Sequence, residues 1–166
     1  MSPSLTRLQS LRRAANRVNG TTAAGLVAAR LGRVPVRPDP GGLLLAGGWS
    51  LPLPHAAAFT LGNVILYRSR VSSAFDAEPA SALLRHEARH SSQYAVLGLV
   101  FLPLYFAAAG FSKLRTGDPA SSNIFEILAG LSDGGYRPRR PSSRRRRQPY
   151  RRRKATYGPF EGSKEP

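Results

Sequence analysis

The chain of 166 residues contains no cysteine. A disulfide scaffold, a thiolate metal site and a cysteine nucleophile are therefore excluded. A metal site built from this chain must use histidine, aspartate or glutamate, and the sequence offers only three histidines and nine acidic residues. The length argues for one domain rather than two, and a hydrophobic content of 42% is sufficient for a small core.

Acidic residues are scarce, and arginine predominates at both ends of the chain. The formal net charge is +16, and residues 137–166, with 12 basic and 2 acidic residues, contribute +10 of it. Residues 1–38 contain seven arginines and no acidic residue. We expect a basic N-terminal helical segment over residues 1–38, the principal folded domain over residues 39–137, and a disordered arginine-rich tail over residues 138–166.

The arginine-rich segment has two interpretations. Residues 137–154 hold eleven cations in eighteen positions, a composition that binds polyanions such as nucleic acid or an anionic lipid surface by releasing counterions. A solubilising tail is the alternative, since the composition names no specific target.

One short motif points to chemistry. His86-Glu-Ala-Arg-His90 contains His-Glu-x-x-His within a stretch that has few helix breakers. Residues four apart share one face of a helix, so His86 and His90 would direct two imidazoles at one metal ion. Glu87 lies about 100° round the helix, where it can accept a proton from a water rather than bind the ion. Two surface histidines on a basic helix are the alternative.

A catalytic zinc ordinarily has three protein ligands, and two residues are candidates for the third. His55 lies in a proline-flanked turn before a predicted strand. Glu126 lies in the apolar segment 122–130, which is typical of a short helix. Burying a lone carboxylate there is costly unless a partner such as a metal accompanies it. A surface glutamate is the alternative.

These residues resemble a known family. The motif, followed by Glu126 in a Phe-Glu-x-x-Ala setting, resembles the gluzincin branch of zinc metallopeptidases, and above all its small single-domain bacterial forms, the minigluzincins. Residues 58–66 are similar to the strand that precedes the active-site helix in that family, and Gln93 recurs at its place in small relatives. The resemblance covers about residues 55–136.

The resemblance implies a zincin-like domain that binds Zn2+. We expect an α+β fold in which an active-site helix and a ligand helix pack on a small, mainly antiparallel sheet. The implied zinc ligands are His86, His90 and Glu126, and the implied general base is Glu87. The implied activity is hydrolysis of a peptide or protein substrate.

The resemblance also implies a substrate-binding strand, which pairs with an extended peptide by strand addition. Its residues are Phe59, Thr60, Leu61, Gly62 and Asn63. Position 130 is glycine where some gluzincins carry an aspartate that orients a ligand, so Asp133 and Asp118 are the candidates for that role. Tyr136 and Tyr105 are the candidates for stabilising an oxyanion.

An uncharged run of 17 residues, 95–111, bears on the location of the protein. This length is at the lower limit for a membrane-spanning helix, and the alternative is a helical hairpin folded at Pro103 or near Gly117. A span of about 25 Å would leave Glu126 on the far side from His90, so we expect the hairpin. We expect a cytoplasmic protein, with peripheral membrane contact as the alternative because both flanks of the run are basic.

Together these features predict a zinc-dependent metallopeptidase-like hydrolase whose substrate the sequence does not name. A non-catalytic basic protein that binds nucleic acid or an anionic membrane through its tail is the alternative. A small membrane protein with a single span is a third interpretation.

Overall fold

Helices and a small four-stranded sheet make up residues 5–77 and 80–140, the part of the chain that this computed structural model describes. The helices are α1 (Arg7–Val18), α2 (Thr21–Leu31), α3 (Ser73–Asp76), α4 (Ala82–Leu97), α5 (Phe101–Thr116) and α6 (Ile124–Ala129). The strands are β1 (Val36–Pro38), β2 (Leu44–Gly47), β3 (Ala58–Leu61) and β4 (Val64–Tyr67). The α+β class is as predicted. Residues 141–166, most of the predicted tail, lie outside the described residues.

The sheet is mixed rather than simply antiparallel. Its strand order is β1-β2-β4-β3, in which β2 and β4 run parallel while the two outer pairs are antiparallel. The stretch from Phe59 to Tyr67, predicted as one strand, is a hairpin of β3 and β4. Gly62 permits the two-residue turn between them because its φ of 60° lies in the left-handed region. β3 thus forms one edge of the sheet.

The two faces of the sheet bury different sets of side chains. Along β4, Ile65 belongs to a core cluster that includes Leu84 of α4, while Leu66 belongs to a second cluster that includes Ala29 of α2. This alternation follows from the period of two along a strand. The sheet therefore separates α4 from α2, and β3 lies beside α4.

Polar contacts hold α1 in place. Asn16 is fully buried, and its side-chain amide donates to Asn63 Oδ1 and to the carbonyl of Ser91, at 2.9 Å each. The apolar residues Leu8, Leu11 and Val18 of the same helix are exposed. Because the amide group joins α1 to both the hairpin turn and α4, α1 packs directly on the rest of the domain.

The chain reverses direction between α4 and α5. The turn lies at Gly98, whose φ is 60°, and not at either predicted position, Pro103 or Gly117. Pro103 lies in the first turn of α5, where its missing N–H costs nothing. The rings of His90 and Tyr105 are 6.0 Å apart, whereas a straight helix would separate them by about 22 Å. The predicted hairpin is therefore present, with an earlier corner.

The helical run Ala82–Thr116 is, among the described residues, the one stretch long and apolar enough to cross a membrane by length and composition. Because the run is folded back on itself at Gly98, it forms two antiparallel helices instead of one long rod. Only a small share of its most apolar window is buried.

Candidate metal centre

Two imidazoles of α4 meet at one point. His86 and His90 are both buried, and their Nε2 atoms lie 3.1 Å apart. The helix begins at Ser81, whose hydroxyl accepts a hydrogen bond from the Leu84 amide, so the histidines lie well inside the helix where their spacing of four is enforced.

The third candidate ligand comes from α6. Glu126 is 1% exposed, and its Oε2 lies 3.3 Å from His86 Nε2 while its Oε1 lies 3.7 Å from His90 Nε2. One ligand atom from each of the three residues fits within 4.8 Å of the others. The other candidate, His55, is exposed and is not part of this cluster. Glu126 is therefore buried and not a surface glutamate, and it belongs to a group that could hold a metal ion, while its role as a ligand stays a prediction.

Hydrogen bonds on the outer ring nitrogens orient both imidazoles. The Nδ1 of His86 lies 3.1 Å and 3.0 Å from the carbonyl oxygens of Ala129 and Gly130, so it must carry a proton to donate. The Nδ1 of His90 likewise faces Gln93 Oε1 at 2.8 Å. In the neutral rings the lone pairs therefore lie on the Nε2 atoms and point at the shared centre.

This cluster fits a metal ion. Ligand atoms about 2.1 Å from a tetrahedral zinc lie about 3.4 Å from one another. At this site the two Nε2 atoms are 3.1 Å apart, and each lies 3.3 or 3.7 Å from a different oxygen of Glu126. Glu126 Oε2 is buried and has no hydrogen-bond partner among the described residues. Two nitrogen lone pairs and a carboxylate that converge in a buried space could hold a metal ion between them, which would offset the cost of burying the charge. A divalent metal satisfies all three.

The charges inside the cluster are strongly coupled. Burial alone would raise the pKa of Glu126, but the nearby imidazoles of His86 and His90 and the hydrogen bond from Tyr105 outweigh it and lower that pKa to about 2. Burial alone would lower the pKa of His86, but the close carboxylates of Glu126 and Glu87 raise it above its ordinary value. Without a metal, a proton on the imidazole would supply the positive charge that the carboxylate demands.

Glu87 is placed beside the cluster rather than within it. Its side chain is buried, and its Oε2 accepts a 2.6 Å hydrogen bond from the hydroxyl of Thr60 on β3. Burial raises the pKa of the Glu87 carboxyl above its usual range, and the Thr60 bond offsets part of that rise. A carboxylate of raised basicity next to the His-His-Glu cluster can accept a proton.

A cleft of about 620 Å3 opens over the cluster. It is bounded by β3 on one side and by α4 and α5 on the other, and its wall is mainly apolar. The lining includes Phe59, Thr60, Leu61, Tyr94, Phe101, Leu102, Tyr105, Phe106 and Tyr136, together with the His-His-Glu cluster and Glu87. Three of the five predicted substrate-binding residues thus line the cleft.

The other two predicted strand residues lie in the hairpin turn. Asn63 is 1% exposed, and its side-chain amide donates to the Arg13 carbonyl and to the Thr22 hydroxyl. A Cβ at Gly62 would lie 2.5 Å from the backbone of α2. The structure therefore places both residues in contacts that hold the turn against the N-terminal helices, outside the set that lines the cleft.

The two tyrosine candidates lie at different places around the cluster. The hydroxyl of Tyr105 donates a hydrogen bond to Glu126 Oε1, which commits it to the carboxylate. The ring of Tyr136 lies 6.1 Å from the ring of His86 and lines the cleft. Burial, with Glu126 close by, raises the pKa of both hydroxyls, so both stay protonated as donors. Both tyrosines line the cleft.

Neither aspartate candidate touches a ligand. Asp118 accepts hydrogen bonds from the backbone amides of Ala120 and Ser121 in the loop before α6. Asp133 accepts from the Arg89 guanidinium at 2.7 Å, and the same guanidinium donates to the Ala129 carbonyl, which also faces His86 Nδ1. Asp133 therefore acts on His86 only through Arg89 and a carbonyl.

Further contacts at the site were not anticipated from the sequence. Gln93 connects two ligand helices, because its amide donates to the Phe125 carbonyl while its oxygen faces His90. Gly134 lies against the His86 ring, where a Cβ would come within 2.6 Å. Its sequence signal is only the Gly134-Gly135 pair, which is equally typical of a turn.

Comparisons with models of known protein families, with curated proteins and with solved structures found no match to this chain. The geometry defines a buried His-His-Glu group, near a metal-binding arrangement, in an α+β domain. The gluzincin resemblance and the zincin-like fold stay predictions from the motif.

Proposed function

We propose that the protein is a zinc-dependent hydrolase of peptide or amide bonds. The observation that carries the proposal is the convergence of His86, His90 and Glu126 at one buried point, with Glu87 beside it in an open cleft. Two imidazoles and one carboxylate suit zinc, and three protein ligands leave a position open, as in catalytic rather than structural zinc sites.

Each residue of the site has a role in the proposed reaction. Zinc held by the three ligands would polarise the substrate carbonyl and lower the pKa of water towards about 7. Glu87 accepts the proton of the attacking water and then donates it to the leaving amine as the carbon–nitrogen bond breaks. Tyr136 lines the cleft, and its hydroxyl would donate to the oxygen that gains negative charge.

The position of β3 supports an extended peptide as substrate. Within residues 5–77 and 80–140, β3 pairs only with β4, so its other edge carries unpaired backbone groups beside the cleft. An extended chain can add to such an edge by main-chain hydrogen bonds. Thr60, on the same strand, bonds Glu87, so a substrate paired here would lie next to the general base.

Measurements of zinc content and of peptide hydrolysis test two separate parts of the proposal. Wild type should bind one equivalent of zinc, measured by atomic absorption after dialysis, whereas His86→Ala and Glu126→Ala should lose most of it. Glu87→Gln should keep the zinc and lose hydrolysis of denatured casein and of a quenched fluorescent peptide library by at least a hundredfold. Asp118→Asn, outside the cleft, is the matched control and should change neither quantity.

Two results would contradict the proposal. Equal zinc content in wild type and in the Glu126→Ala variant would remove the third ligand. Hydrolysis undiminished in Glu87→Gln would remove the general base.

A further inference from the structure

Helix α5 exposes an apolar surface that nothing in the described structure covers. Its residues are apolar on all sides from position 101 to 111, a composition typical of helices that are buried in protein or lipid. Only Phe101, Ser112 and Thr116 of this helix are buried. One set of exposed apolar residues recurs at alternating intervals of four and three, beginning at the residue before the helix. We call this set the α5 face: Val100, Leu104, Ala107, Phe111 and Leu114.

Cations border this face at its C-terminal end. Lys113 and Arg115 are two residues apart and therefore project about 160° apart around the helix, with Leu114 between them. Leu114 is 88% exposed. An apolar stripe with a cation at each edge is the pattern of a helix that lies in a membrane interface, because long cationic side chains reach the headgroups while the stripe enters the acyl region.

The charge around the face has one sign. No acidic residue occurs between Glu87 and Asp118 in the sequence. The start of the arginine-rich segment is held close by, since the Arg139 amide donates to the hydroxyl of Ser121 in the loop that follows α5. The described chain therefore reaches the arginine-rich segment beside the loop that follows α5, and residues 137–166 hold twelve cations in the sequence. Such a cluster next to an apolar surface is complementary to anionic lipid.

We propose that the α5 face docks on an anionic phospholipid bilayer, with the helix lying in the plane of the interface. This inference does not depend on the hydrolase function. The face continues into the cleft wall, because Phe106, on the adjoining side of α5, is 66% exposed and also lines the cleft. Docking therefore places the mouth of the cleft at the lipid surface.

Two other occupants are disfavoured by the same observations. A second copy of the chain would bring another net charge of +16 against the first, which opposes association. A helix crossing the bilayer would take Tyr105 and its partner Glu126 with it, because the tyrosine hydroxyl bonds that carboxylate.

Vesicle sedimentation of the full chain tests the proposal. The chain should bind vesicles of phosphatidylcholine mixed with phosphatidylserine, bind vesicles of phosphatidylcholine alone much more weakly, and release at high salt. Leu114→Ser and Phe111→Ser should each weaken binding to the anionic vesicles about tenfold, because each removes an apolar side chain that docking would bury in the bilayer. Leu8→Ser, at a leucine equally exposed on α1, is the matched control and should bind as wild type does.

A fluorescence measurement checks the depth of the face independently. The single native tryptophan, Trp49, is buried, so a Phe111→Trp variant adds one exposed reporter. Its emission should shift to shorter wavelength with anionic vesicles and be quenched by brominated lipid, whereas a Leu8→Trp variant should show neither effect.

Three results would overturn the proposal. Leu114→Ser that binds as wild type does would assign the attraction to the tail alone. A Phe111→Trp indole that brominated lipid leaves unquenched would place the face outside the bilayer. A dimer in lipid-free solution that Leu114→Ser dissociates would make a second copy the occupant.

Discussion

The hydroxyl of Thr60 donates a 2.6 Å hydrogen bond to Glu87 Oε2, and this bond joins the edge strand β3 to the helix that carries both histidines. The same hydroxyl also lies 3.3 Å from the Glu87 carbonyl. One side chain therefore sets the position of the proposed general base relative to the strand on which the proposed substrate would lie. Thr60 is a positioning residue for Glu87.

Thr60→Val should lower turnover and move its pH dependence. The hydrogen bond favours the charged carboxylate, so its loss raises the pKa of Glu87 further, and the acidic limb of the kcat/KM profile should move to higher pH. Zinc content should not change, because Thr60 touches no ligand.

Thr60→Ser is the matched control, since it restores the hydroxyl and should restore the wild-type profile. A Thr60→Val enzyme with the wild-type pH profile would assign the contact a purely structural role.

The positions of the proposed metal ligands were largely accessible from the sequence. The spacing of His86 and His90 fixes their common face as soon as the segment is helical, and the apolar segment around Glu126 indicated that this carboxylate would need a partner if it were buried. The hydrogen bond from Tyr105 to Glu126 was not accessible from the sequence. It requires the chain to reverse at Gly98, and contacts between residues distant in the sequence determine that reversal.

The hairpin of β3 and β4 shows the same limit. Apart from Gly62 and Asn63, residues 59–67 are apolar or β-branched, so the pattern predicts one long strand. Only those two residues signal a turn. The turn is held by Asn16 of α1 and by close packing on α2, contacts that involve residues more than forty positions away. Local sequence patterns do not contain this information.

Tyr105→Phe should weaken zinc binding without disrupting the fold. The phenol donates to Glu126 Oε1, and its removal leaves the carboxylate less well oriented, which typically costs 10–100-fold in metal affinity. The affinity can be measured by competition with a chromophoric chelator.

Tyr94→Phe is the matched control for Tyr105→Phe. Tyr94 is also buried in the cleft wall, but its hydroxyl has no hydrogen-bond partner among the described residues. Removing that hydroxyl should leave zinc affinity unchanged and stability equal or higher. Equal losses of affinity in both variants would show that the Tyr105 bond has no specific effect on the metal.

Gly134→Ala should displace a zinc ligand through steric contact alone. A Cβ at this position would lie 2.6 Å from the His86 ring, so either the ring or the loop after α6 must move. We expect zinc affinity to fall at least tenfold, roughly 1.4 kcal/mol of binding free energy. Gly110→Ala, in the exposed part of α5 with no atom within 4 Å of the new Cβ, is the control and should bind zinc normally.

The raised pKa of His86 gives a pH prediction whose sign differs between the metal-free and zinc-bound protein. In the metal-free protein the protonated His86 pairs with Glu126. This contribution to stability is complete at pH values below the ordinary pKa of histidine, and it is lost as the pH rises through the raised pKa of His86. Zinc requires the neutral imidazole, so its affinity should rise over the same range, by about tenfold per pH unit for one displaced proton.

Thermal unfolding across pH 5.5–8.5, about the range in which histidine titrates, separates these two opposing trends. The melting temperature of the metal-free chain should lose the His86–Glu126 contribution towards higher pH, while the increase in melting temperature on adding zinc should become larger. His55, which is exposed and away from the cluster, provides the control, since His55→Gln should leave both trends intact. A zinc-induced increase that stays constant across this range would show that the metal does not displace a proton from His86, and the ligand assignment would then be wrong.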